Sequence, residues 1–191
     1  MTGRLLIAGV GNIFLGDDGF GVEVARRLAT EDLPEWVRVA DYGISGMHLA
    51  YDLANGYETT ILIDATSRGD EPGTIYVIEL DHSQLPGATA ESPAGDSPAG
   101  GQLFDAHGMQ PDVVFGVLDM LGAEAGQVLL VGCEPASVDY GIGLSPVVTA
   151  AVGEAVRVVK DLIAAAPPGA VGAVGPGQAG DSKRAGSDGS G

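Results

Sequence analysis

GVGNIFLGDDGFGV, residues 9–22, sets five glycines and two adjacent carboxylates in fourteen positions. It continues the apolar run RLLIA (4–8), so the two together read as a buried strand that ends in a glycine turn and feeds a helix over 18–30. Such a turn invites comparison with a phosphate loop. A dinucleotide fingerprint G-x-G-x-x-G beginning at Gly9 finds Gly11 but meets Phe14 where its third glycine belongs. A P-loop requires Gly-Lys-Ser/Thr, and the stretch has no lysine. A diphosphate would also face Asp17 and Asp18 at the start of the helix. Spelling and charge both exclude a nucleotide.

Moving outward, strands and helices alternate. VRVADYG (37–43), TTILIDAT (59–66), TIYVIEL (74–80) and QVLLVGCEP (127–135) read as strands. Helices are expected over 46–55 and 111–121, and a last one opens at Ser145, a good N-cap, with Pro146 in the first helical position. Its apolar stripe runs through Val148, Val152, Ala155, Val159 and Leu162. The pattern predicts a single three-layer α/β domain: a twisted, largely parallel five-stranded sheet with helices on both faces. The domain spans 1–166. Residues 86–102 and 167–191, rich in Gly, Ala, Pro and Ser, are expected to be a mobile loop and a disordered tail.

Composition narrows the function. A hydrophobic share of 45% is enough for one core. The formal net charge of −17 argues against nucleic acid and against an anionic membrane as partner. A single cysteine rules out an internal disulfide framework. No apolar run is long enough to span a bilayer, and LLIAGVG lacks the basic start of a signal peptide, so a cytoplasmic protein is expected.

Sites in such folds lie beyond the carboxyl ends of the strands, and there the residues are unusual. Strand one delivers Asp17 and Asp18. Asp17 reads as a helix cap, and Asp18, in the first turn, is either a second favourable charge or functional. Asp64 ends the apolar run TILI and must be bonded, paired or bound to a cation. His107 just precedes the helix at 111. Cys133 reads as a small packing residue, and His48 and His82 as bystanders. Asp18, Asp64 and His107, from three separate segments, would make an oxygen/nitrogen set for a borderline divalent ion.

The blocks in this order resemble the nickel–iron hydrogenase maturation endopeptidases. GVGNIFLGDDGFGV is similar to the family's first block, DYGISGMHL to its second, and ILIDA to the strand with the central aspartate. HGMQPDVVFGVLDML and VGCEPASVDYGIGLSPVVTAAV are similar to the last two blocks. The resemblance implies removal of the C-terminal extension from a hydrogenase large-subunit precursor. It also implies that nickel, carried by that precursor, is held by Asp18, Asp64 and His107, which are then the catalytic and metal-binding residues. The segment before His107 and the tail depart from the family pattern. Two competing readings are a hydrolase with its own resident zinc and a non-catalytic binding module of the same fold.

Overall fold

In a computed structural model, residues 4–80 and 126–166 are described. The expected loop at 86–102, the helix at 111–121, His82, His107 and the tail at 167–191 lie outside them. The elements are β1 (Leu5–Val10), α1 (Phe20–Leu28), β2 (Val37–Gly43), α2 (Gly46–Ala54), β3 (Thr59–Ala65), β4 (Ile75–Leu80), β5 (Gln127–Cys133) and α3 (Pro146–Ala165).

They form one five-stranded sheet in the order β2-β1-β3-β5-β4, parallel except for the β4–β5 pair. Side chains alternate across β1. Leu5 and Ile7 join Ile61, Ile63 and Val131 under α1 and α3, while Leu6, Ala8 and Val10 join Leu62, Val128 and Leu130 under α2. This division follows from handedness. The chain goes one way from β1 to β2 and back across β1 from β2 to β3, so right-handed crossovers put α1 and α2 on opposite faces. Helices thus cover both faces, as expected.

α1 lies unusually close to the sheet. A Cβ on Gly21 would stand 2.0 Å from the Ile63 carbonyl oxygen and 2.3 Å from that of Val10, and one on Gly9 would stand 2.5 Å from the Ala25 Cβ. Only glycine fits at these two positions.

Two local expectations are corrected. The first helix does not begin at residue 18: a 3-10 turn occupies Gly16–Gly19, and α1 starts at Phe20 with Gly19 as its cap. On α3, Ser145 caps as expected, accepting the Val148 N–H at 3.4 Å, but the buried stripe ends on Ile163, with Leu162 half-buried. Four residues beyond Val159 stays on the same face better than three does here. No helix among the described residues is long and apolar enough to cross a membrane.

Candidate active site

The connections after β1 and β3 depart in opposite directions, so a crevice opens beyond the carboxyl ends of these neighbouring strands. Asp18 and Asp64 converge there. Gly11 shows how. Its φ of 124° favours glycine, and a Cβ on it would stand 1.8 Å from the Asp18 carbonyl oxygen and 3.8 Å from Asp64 Oδ1. The loop after β1 therefore folds straight back over Gly11, beside the end of β3. Asp18 is buried and its Oδ2 accepts the Asn12 N–H at 2.6 Å. Asp64 is also buried, and accepts the Ala65 N–H at 2.8 Å and the Thr66 hydroxyl at 3.4 Å.

Burial pushes the Asp64 carboxyl up to about 8, and the Asp18 charge beside it adds to the rise, outweighing the bonds from Ala65 and Thr66. At neutral pH Asp64 therefore keeps its proton. A divalent cation between the two carboxyls would displace that proton and remove the repulsion. Among the described residues no trio of His, Cys, Asp and Glu is arranged to hold a metal ion. His107, the third member expected from sequence, lies outside them.

Asp17 is not a helix cap. Fully buried, it reaches across to the loop after β5. Oδ2 accepts the N–H groups of Ala136 at 2.8 Å and Ser137 at 3.1 Å, and Oδ1 accepts that of Ser145 at 2.6 Å. The capping expectation failed because this carboxylate is committed to a segment more than a hundred residues away.

Glu134, at the end of β5, does the same for the loop after β3. It accepts from the Ser67 hydroxyl at 2.8 Å and from the Arg68 and Gly69 N–H groups at 2.6 and 3.3 Å. Burial pushes its carboxyl up, but these bonds prevail and hold it below its ordinary value. Tyr76 closes the same loop, donating its hydroxyl to the Thr66 carbonyl at 2.8 Å, its ring lying against Gly132. Sequence reasoning gave Glu134, at the end of strand five, no role; the available signal was a carboxylate directly after an apolar strand, as for Asp64.

Cys133 packs as expected. It is wholly buried, and burial, with the charges of Asp17 and Glu134, pushes its thiol up to about 12, so it is no ready nucleophile. His48 is exposed on α2 and bonds through Nδ1 to the Ser45 hydroxyl at 2.7 Å. Asp41 pairs with Arg26 at 3.4 Å and accepts the Gly43 N–H, a turn-making role.

Two buried aspartates at the switch point of a parallel sheet, carried by a G-x-G-N…DDG loop and an ILIDA strand, can now be set beside known proteins. The sequence profile of the HycI hydrogenase maturation proteases matches residues 22–92. A putative hydrogenase maturation protease of Methanocaldococcus jannaschii is 34% identical, over 81% of this chain and 93% of its own. The chain belongs to the hydrogenase maturation protease family. It is accordingly a peptide-bond hydrolase of hydrogenase maturation. Among solved structures, the hydrogenase maturating endopeptidase HybD of Escherichia coli superposes with a TM-score of 0.65 at 28% identity, covering 86% of this chain and 97% of its own. A hydrogenase 2 maturation peptidase from a Thaumarchaeota archaeon gives 0.60 at 32% identity, over 84% and 98%. The α/β fold of this family, with its mostly parallel five-stranded sheet, is the one described above.

Proposed function

We propose that this family member removes the C-terminal extension of a nickel–iron hydrogenase large-subunit precursor, and that it recognises the nickel already seated in that precursor. The observation that carries the reading is the Asp18–Asp64 pair. Two carboxyls forced together in a buried crevice repel each other, and one of them keeps a proton to pH about 8. That is the electrostatic signature of a site made for a cation rather than for a neutral or anionic ligand. Two carboxylates and the His107 imidazole form a donor set suited to nickel.

The metal is thus part of the substrate. Holding it would bring the scissile segment into the crevice and fix its orientation, which by itself lowers the barrier to attack on the peptide bond. Open coordination positions would be filled by the precursor's own ligands. The reading carries with it a cytoplasmic reaction.

The test is direct. Nickel-loaded and nickel-free large-subunit precursors are incubated with the protein, and the products are weighed by mass spectrometry. Loss of the C-terminal extension only from the loaded precursor is the expected result. An uncut loaded precursor overturns the reading.

A further inference from the structure

The loop between β1 and α1 and the loop between β5 and α3 are joined along their backbones. Gly16 N–H donates to the Gly141 carbonyl at 2.9 Å, Gly141 N–H to that of Phe14 at 3.0 Å, and Asp17 N–H to that of Ser137 at 3.0 Å. Gly16 adopts a φ of 55°, and a Cβ on it would stand 3.0 Å from the Ser137 carbonyl oxygen. The Asp17 carboxylate, with its three N–H donors, clasps the same two loops from inside.

This well-held junction carries an apolar outer surface. Leu15 and Gly141 form the bridge, and the residues flanking them, Phe14, Tyr140 and Ile142, are 58%, 93% and 82% exposed. Ile142 also borders a pocket of about 370 Å³ lined by Ile13, Leu144 and Val152, with Glu23, Arg26 and Arg27 from α1. In a chain with 26 acidic residues, the run from Tyr140 to Gly153 bears no charge. Large apolar side chains grouped on a fixed edge mark a contact surface, here with Asp139, Glu23, Arg26 and Arg27 as its charged rim. The backbone groups at the bridge are already engaged, so the contact there is made by side chains.

We propose that Phe14, Tyr140 and Ile142 form a docking edge for an apolar stretch of the precursor's C-terminal extension. The inference rests on the function proposed above for its choice of occupant. Continuity with the site favours that occupant: Gly16 and Asp17, which hold the edge, run directly into Asp18, so a chain lying on the edge adjoins the crevice. Asp17 is then a positioning residue, fixing the edge relative to Asp18.

The experiment measures processing of a nickel-loaded precursor by the wild-type protein, by the triple variant Phe14→Ser/Tyr140→Ser/Ile142→Ser, and by Val77→Ser, which alters an exposed apolar residue on β4. The triple variant should melt as the wild type does. Its KM should rise about tenfold with kcat nearly unchanged, as lost binding shared by ground and transition states requires. Val77→Ser should leave both constants alone. An unchanged KM in the triple variant, or an equal rise in Val77→Ser, overturns the docking edge while leaving the proposed function intact. A loaded precursor that the wild type itself leaves uncut overturns the proposed function and, with it, the occupant named here. Asp17→Asn should raise KM and speed amide exchange at Ala136, Ser137 and Ser145; unchanged exchange with a normal KM removes Asp17 from the positioning role.

Discussion

Asp64 sits where an ionised carboxylate is costly, under burial and beside Asp18, and the cost can be read as a pH dependence. The unfolded chain releases this proton near 3.8 and the folded one near 8. Between those values the native state binds more protons than the unfolded state, so this group makes stability fall as pH rises. Asp64→Asn removes the titration. In metal-free buffer the variant should gain on the wild type by up to about 1.4 kcal/mol per pH unit across that window, and level off above it. Denaturant melts from pH 4 to 9 check this, and a difference that does not grow with pH refutes it. The same variant should fail to process precursor. Asp17 is a different case, since its carboxylate accepts three backbone N–H groups from the loop after β5. Asp17→Ala leaves them without that partner and should lower stability by about 3 kcal/mol, well beyond the 1 kcal/mol or so of a lost helix cap. Urea unfolding distinguishes the two figures.

At the scale of elements, what was legible in the sequence was what is local. Apolar runs ended by glycine or a carboxylate marked β1, β3 and β5, and Ser145-Pro146 marked the start of α3, because each depends on a few adjacent residues. The Asp18–Asp64 pairing was legible through the rule that parallel sheets gather function at their strand ends and through the family resemblance, whereas the groups that Asp17 and Glu134 bind were not legible. Their partners, Ala136 to Ser145 and Ser67 to Gly69, are brought to them by the fold. A capping rule applied to Asp17 therefore chose the nearest helix and missed the distant loop. The glycines of α1 make a further prediction. Gly21→Ala puts a methyl 2.0 Å from the Ile63 carbonyl and 2.3 Å from that of Val10, both fixed backbone, and should destabilise by about 3 kcal/mol. Gly153→Ala, in α3 with nothing within 4 Å, should instead stabilise by about 0.5–1 kcal/mol. Paired thermal melts settle both signs.

For the whole molecule, the proposed function turns on where a cation would come from. Asp17 and Glu134 clasp the loops at the strand ends through their own hydrogen bonds, and burial favours a proton on Asp64 when no ion is beside it. The precursor's nickel would then exchange for that proton only when substrate arrives. Protein treated with a chelator and desalted should accordingly keep its melting temperature and cleave nickel-loaded precursor at an undiminished rate. Nickel-free precursor should stay intact at any enzyme concentration, because nothing gathers the scissile segment into the crevice. Cleavage should also strengthen as pH rises toward 8, since the proton on Asp64 competes with the ion. A resident zinc centre predicts the reverse on stripping: lost activity, recovered when zinc is returned. Mass spectrometry of the products, with elemental analysis of the stripped protein, separates these outcomes, and efficient cutting of nickel-free precursor by stripped protein would overturn the substrate-borne metal altogether.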